Sequence, residues 1–350
     1  MDAFFAAIEE QDQESLRGLP IVVGADPNGG KGRGVVSTAN YRARAYGIHS
    51  AMPISQAWRR SEIARHQGNP PVVFIRPNFE RYTEVSERIS AILRKHVSVV
   101  EEASIDEMYF DLSFAGKFEK AKEICQKIKT EVKANEHLTA SIGIGPNKLI
   151  AKVASDFKKP DGLTVVEEKD AEPFLAPLSV RKIPGIGPKT ELILAERGIR
   201  IVQDLKGLSL SEFEEMFGKW GRDLYEKIRG HDASPIQEEY ETKSIGEQET
   251  FANDTRDSGF IVERLTLMCQ NVLRRLLAAG FKTFRTIVVT IRFADFETKS
   301  RSHTLAHPTD SLKTLEFEAI RLLMPFLDVR ENPRSKLIRM IGVRVEKLEG

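Results

Sequence analysis

Two adjacent acids interrupt an apolar, β-prone run: Ser104-Ile105-Asp106-Glu107 leads straight into Met108-Tyr109-Phe110-Asp111-Leu112. Neighbours on a strand point to opposite faces, so one carboxylate would face the buried side unless a bulge intervenes. An unpartnered carboxylate is costly to bury, and a metal ion or a cation is the usual compensation. The chemistry this would serve is the binding of a metal ion or another cation. The competing reading is a hairpin tip that leaves Glu101, Glu102, Asp106 and Glu107 in water. Asp2 precedes Ala3-Phe4-Phe5-Ala6-Ala7, where the ordinary role of an Asp is to cap a helix. The free N–H groups of a helix start also bind phosphates.

Tyr41 and Arg44 lie three apart in Ser37-Thr38-Ala39-Asn40-Tyr41-Arg42-Ala43-Arg44 and share one helix face. A ring and a guanidinium on one spot suit a triphosphate and its base, or simply a solvated face. Lys159 stands before Pro160-Asp161-Gly162, a turn rigid enough to hold a cation or to leave a lysine exposed. Ile183-Pro184-Gly185-Ile186-Gly187 is a tight turn between short helices. Its backbone N–H groups, clear of side chains, suit a DNA phosphate of any sequence. Near the C-terminus Ile287, Val289, Ile291 and Phe293 alternate with Thr286, Val288, Thr290 and Arg292, and Lys299, Arg301 and His303 share a strand face. One side of that sheet would be core; the other side, or the strand edge, would offer cations and hydroxyls to phosphates or to water.

Other chemistries are excluded. The Gly-rich turn from Asp26 to Gly34 is no P-loop, because Gly30-Lys31 is followed by Gly32. His303 and His307 do not form HExxH, and Cys125 and Cys269 are too few for a disulfide framework or a Cys-rich zinc site.

Placing these residues requires a helix over Asp2–Gln13, a buried strand at Ile21–Gly24, and helices from Asn40, over Phe79–His96 and over Lys117–Asn135. Val97–Ser113 reads as strand, turn, strand, and Thr139–Ile144 as a further strand, an α+β pattern with a mainly antiparallel sheet. Short helices and glycine turns follow from Ser179, then a polar, acidic linker at His231–Thr242. Beyond it the order is β-α-β-β-α-β: Lys243–Thr250, Ser258–Ala279 ended by Gly280, Thr283–Phe293, Thr298–Leu305, Asp310–Leu327 and Ile338–Val345.

The 350 residues are 41% hydrophobic and 29% charged, which indicates several folded domains rather than a disordered or membrane chain. No apolar run approaches the roughly 20 residues of a membrane span. MDAFFAAIEEQ has acids where a signal peptide carries Lys or Arg, so a cytoplasmic location is expected. The net charge of +1 is an average: from Lys243 onward 18 basic residues face 14 acidic ones, and before it 34 face 37. A mildly acidic body joined to a basic module suits carboxylate chemistry on a polyanion.

Read in order, DAFFAAIE, VVSTANYRARAYGIHSAMP, ASIDEMYFDLS, SIGIGPNKLIAKVASDFKKPDG, IPGIGPKT and KSIGEQETF make the whole chain resemble the Y-family translesion DNA polymerases of the DNA polymerase IV (DinB) type. The resemblance implies a right-hand polymerase. Its palm would comprise 1–10 and 78–165, its fingers 11–77, its helix-hairpin-helix thumb 166–231, its linker 232–242 and its βαββαβ little finger 243–350. It implies template-directed, low-fidelity transfer from a dNTP to a primer 3′-OH with two Mg²⁺ ions per site. Asp106 and Glu107 are then the catalytic metal ligands, with the Met1 backbone carbonyl beside them. Phe5 is the steric gate against a ribose 2′-OH. Ala3, Phe4 and Phe5 (through N–H groups), Thr38, Tyr41, Arg44 and Lys159 hold the nucleotide. Gly185, Ile186, Gly187, Lys189, Arg292, Lys299, Arg301 and Arg344 contact DNA. The partners implied are primer-template DNA, dNTP and a sliding clamp whose binding peptide is not visible here, with no membrane and a monomeric state.

One departure carries its own expectation. The family pattern begins with a strand and D-x-D; Asp2 matches the second acid, which puts the first metal-binding Asp ahead of Met1. Severely reduced polymerase activity is expected of the chain as written. Two other functions are weighed: a non-catalytic DNA-binding repair factor on the same fold, best supported by the missing acid, and a nucleotide cyclase, in which the glycine turn and basic last domain have no role.

Overall fold

Asp2 does not cap the first helix. In the computed structural model, which describes residues 1–350, α1 (Phe4–Asp12) starts from Ala3 in the left-handed region (φ 46°), with no side chain on its first N–H groups. The buried Asp2 carboxylate instead accepts hydrogen bonds from Ser141 Oγ and the Asp161 N–H, both at 2.8 Å. Two tertiary hydrogen bonds outcompete one local cap.

β1 (Ile21–Gly24) pairs antiparallel with β2 (Val36–Ala39) and parallel with β3 (Val73–Ile75). Between them α2 (Tyr41–Ala45) is capped by Asn40, whose Oδ1 accepts from the Ala43 and Ile21 N–H groups at 3.0 Å each. α3 (Ile54–His66) closes this lobe over Val22, Val36, Ala39, Ala43 and Ile48. α4 (Phe79–Arg94) packs Tyr82, Val85 and Ile89 against Phe4 and Ile8 of α1. The hairpin of β4 (Val100–Ser104) and β5 (Glu107–Phe110) follows, then α5 (Phe118–Glu136), β6 (Ile142–Ile144), α6 (Lys148–Phe157) and β7 (Leu163–Val165). The expected mainly antiparallel sheet is corrected here. Three small sheets form, and β1–β3 and β6–β7 are parallel pairs because helices connect them.

α6 serves two neighbours. Leu149, Ile150, Val153 and Ala154 pack into the core of α7 (Ala171–Leu175), α8 (Pro188–Glu196), α9 (Val202–Leu205), α10 (Leu210–Phe217) and α11 (Lys219–Lys227), with Val180, Leu194, Phe213 and Leu224. Lys148, Lys152 and Ser155, from the rest of the same helix, line a groove beside β5. The expected linker is not free along its whole length. Asp232 accepts the Leu149 N–H at 3.1 Å, and the Gln237 N–H donates to Glu101 at 2.8 Å. Glu101 is buried and ion-paired to Lys148 at 2.6 Å. The chain divides into two compact units, Met1–Glu239 and Tyr240–Gly350.

The second unit has the expected order: β8 (Ser244–Thr255), α12 (Ser258–Ala278), β9 (Phe284–Phe293), β10 (Thr298–Thr309), α13 (Leu312–Leu327) and β11 (Ile338–Glu346). Its sheet is antiparallel in the order β10-β9-β11-β8. Ile287, Val289, Ile291 and Phe293 face Leu265, Cys269, Ala319 and Leu323 of the two helices. Gly280 (φ 83°) follows α12 in the left-handed conformation that lets a chain leave a helix.

Candidate active site

The β4–β5 hairpin turns through Ile105 and Asp106, with a register irregularity between Glu102 and Ser104. Asp106 therefore leaves the strand alternation, and both it and Glu107 stay half-exposed instead of pointing to opposite faces. Asp106 Oδ1 accepts from Ser104 Oγ at 2.9 Å, while Glu107 is ion-paired to Lys152 of α6. The two acids line one groove of about 580 Å³ together with Met1, Lys152 and Lys159. β5 and β6 each pair on one side only, and residues of both line this groove. The Met1 α-amino group donates to the Asp106 carbonyl at 2.6 Å. Burial pushes its pKa below the ordinary value, against the pull of the Asp106 charge.

Lys159 Nζ sits 2.7 Å from Asp156. Burial opposes the charge on Lys159, but the Asp156 contact outweighs it and holds the ammonium above its usual pKa; Asp156 is correspondingly held low despite its own burial. Arg44 lies 4.8 Å from the centre of the Tyr41 ring, and its Nε is tied to the Ala39 carbonyl at 2.9 Å. The Tyr41 hydroxyl is buried with no hydrogen-bond partner, and burial together with the Asp2 charge raises its pKa. Ala3 and Tyr41 line a second cavity of about 620 Å³ with Asp2, Arg42, Pro160 and Asp161. Thr38, Phe4, Phe5 and Arg44 line neither space. Phe4 is core, 1% exposed, so only its backbone is on offer to a nucleotide.

Phe5 is held by aromatic neighbours that the sequence did not point to. Tyr82 stacks on it at 4.4 Å and 11°, and Phe79 meets it edge-on at 5.9 Å and 87°. The Tyr82 hydroxyl donates to Glu9 Oε1 at 2.5 Å, with both residues buried. Glu9 lies one helical turn beyond Phe5, and Lys152 one turn before Asp156, so the helical spacing was readable. Which distant residue each would meet was not.

Among the expected DNA contacts, Gly185 has φ 98°, and a Cβ there would come within 2.9 Å of Trp220. Gly187 opens α8 with nothing near its missing side chain, and Lys189 is exposed in the first turn. Ile186 is a correction: its side chain is buried and its N–H donates to the Ile183 carbonyl at 3.1 Å, so that N–H is not free for a phosphate. Gly185→Ala is expected to lower stability by about 1–3 kcal/mol in thermal melts, whereas Gly187→Ala changes it little.

In the second unit the four expected cations divide between two faces. Arg292 and Arg344 register with Thr298 and Val288, on the face opposite the helices, which also carries Thr290, Ser300 and Gln248. Lys299 and Arg301 register with the core residues Ile291 and Val289, and both are paired to Glu331, at 3.3 and 2.9 Å. They lie on the helix side of an edge strand, not beside the two arginines. His303 on that same side meets Glu318 of α13 at 2.9 Å.

The first 156 residues match the impB/mucB/samB family, residues 242–350 match that family's C-terminal domain, and residues 181–232 match a DNA polymerase-iota thumb domain. "DNA polymerase IV 2" of Methanosarcina mazei is 42% identical over 99% of this chain and 90% of its own length. "DNA polymerase IV" of Methanoculleus marisnigri is 41% identical over 100% and 93%. The chain belongs to the Y-family DNA polymerases, DNA polymerase IV type.

Solved Y-family structures carry the same fold. The chimera Dbh-Dpo4(243-245)-Dbh matches with a TM-score of 0.85 at 30% identity, over 99% of this chain and 97% of that one. An insertion ternary complex of Dbh DNA polymerase, with the same coverages and identity, has a TM-score of 0.65. Against this Y-family background the acid groove can be tested as a metal site. Asp106, Glu107 and the Met1 carbonyl are hard oxygen donors of the kind Mg²⁺ takes, with waters and phosphates completing its shell. No three Asp, Glu, His or Cys side chains converge there.

Proposed function

We propose that the chain is a template-directed DNA polymerase that extends a primer 3′-OH from a dNTP, with the low fidelity of translesion synthesis. The single observation that carries this is the delivery of Asp106 and Glu107 to a groove that Lys159 and Met1 also line. The primer 3′-oxygen forms a bond to the α-phosphorus and the bridging bond to the β-phosphate breaks. Pyrophosphate leaves with the electron pair, and the hydroxyl proton passes to water. Lys159, Tyr41, Arg44, Thr38 and the uncapped N–H groups of Ala3, Phe4 and Phe5 would hold the triphosphate. Phe5 would exclude a ribose 2′-OH. Mg²⁺, held by Asp106, Glu107 and the Met1 carbonyl, would supply Lewis-acid stabilisation of the phosphoryl charge. Loss of primer extension in Asp106→Ala tests the assignment.

A second reading, a non-catalytic DNA-binding repair factor, is favoured by one observation: of the adjacent acids Asp106 and Glu107, Lys152 already neutralises one. Salt-sensitive binding to primer-template with no incorporation would favour that reading.

A further inference from the structure

The groups proposed to hold the triphosphate come from three parts of the chain, the start of α1, the β2–α2 segment and the Lys159 turn, and one buried residue joins the first of these to the last. Asp2 lies immediately before the uncapped N–H groups of α1, yet both its carboxylate oxygens are used elsewhere. Oδ2 accepts the Asp161 N–H and Oδ1 accepts the Ser141 hydroxyl, both at 2.8 Å; Ser141 Oγ accepts in turn from the Gly162 N–H at 3.1 Å. On the other side of the turn, Lys129 Nζ donates to the Ala140 carbonyl at 2.5 Å, to Asp161 Oδ1 at 2.6 Å and to the Gly162 carbonyl at 3.2 Å.

We infer that Asp2 is a positioning residue that fixes the Lys159 turn against the start of α1, with Lys129 as its brace. The inference rests on the proposal that this region binds a triphosphate. Asp2 is not a metal ligand in this arrangement, since both oxygens are occupied and it does not line the acid groove. A lysine is a flexible point charge, so its reach to a phosphate depends on where its backbone is held. Electrostatic stabilisation by preplaced groups is lost when they shift by even an ångström. The backbone of residues 161–162 is held through three polar contacts, two to the Asp2–Ser141 pair and one to Lys129, which also pairs with the Asp161 carboxylate.

The test measures affinity for the dNTP complementary to the template, in a complex with primer-template and Ca²⁺, and for inorganic tripolyphosphate as competitor. Asp2→Asn and Lys129→Met are expected to raise both dissociation constants by about tenfold, leaving primer-template affinity within about twofold, and Lys129→Arg restores triphosphate binding. Ser141→Ala, which leaves the Asp2–Asp161 bond intact, has a smaller effect in the same direction. Unchanged dNTP and tripolyphosphate binding in Asp2→Asn and Lys129→Met overturns the inference. So does a parallel loss of primer-template affinity and melting temperature in every variant, which would mark a general structural role. Absence of dNTP and tripolyphosphate binding in the unmodified protein is a different result, and it overturns the functional proposal itself.

Discussion

Asp106→Ala is expected to lower primer extension by about a thousandfold or more, while primer-template affinity stays within about twofold. The first half of the expectation follows from the role proposed for Asp106. Of the two adjacent acids that line the groove beside Met1, Glu107 is committed in part to Lys152. Loss of Asp106 removes the member of that pair with no lysine or arginine partner to hold a metal against the triphosphate charge. The second half follows from where Asp106 sits. It lies in a two-residue turn, is half-exposed, and its side chain contacts Ser104 of the same hairpin, so its removal disturbs no core packing. Glu107→Ala removes a carboxylate but also frees Lys152, so its effect mixes two changes. Single-turnover incorporation with Asp106→Ala is the cleaner measurement. Incorporation within tenfold of the unmodified protein would sink the assignment of Asp106.

Phe5→Ala is expected to reduce discrimination against ribonucleotides by about a hundredfold, equivalent to roughly 2.7 kcal/mol of differential transition-state binding. A ring that blocks a 2′-OH works only if it cannot swing away. Phe5 is held by the stacked Tyr82 ring and by Phe79 at its edge. Tyr82 is held in turn by its bond to buried Glu9, and α1 and α4 are tied again one turn on by Arg81 and Asp12 at 2.8 and 2.9 Å. Tyr82→Leu keeps an apolar side chain but loses the flat stacking face, and is expected to relax sugar discrimination by about tenfold with Phe5 still present. Tyr82→Phe keeps the stack and loses only the bond to Glu9, so its effect should be the smaller of the two. The ratio of kcat/KM for dNTP and rNTP reads all three variants. Equal ratios in Phe5→Ala and the unmodified protein would remove Phe5 from the role of gate.

Much of the second unit could be read from sequence because its signals are local. Alternation at Ile287, Val289, Ile291 and Phe293, and a glycine after α12, identify elements without reference to the rest of the chain. The same holds for Asp106 and Glu107, acids in an otherwise apolar run, and for Gly185, whose positive φ and close approach to Trp220 no other residue meets as easily. The sheet connections of the first unit were less readable, because short strands such as β6 and β7 do not reveal parallel pairing in their residues.

What the sequence determined by itself is therefore the inventory: which residues carry charge, which runs form strands or helices, and, through the ordered segments, membership of the Y family. The tertiary structure decided the partners. It took Asp2 away from its helix and gave it to Asp161, placed Tyr82 on Phe5 and Glu9, and turned Lys299 and Arg301 to the side of the sheet opposite Arg292 and Arg344. The physical reason is common to all three. Helical and strand periods are properties of a few neighbouring residues, whereas the partner of a buried polar group or a stacked ring is chosen by packing between segments that lie far apart in the chain.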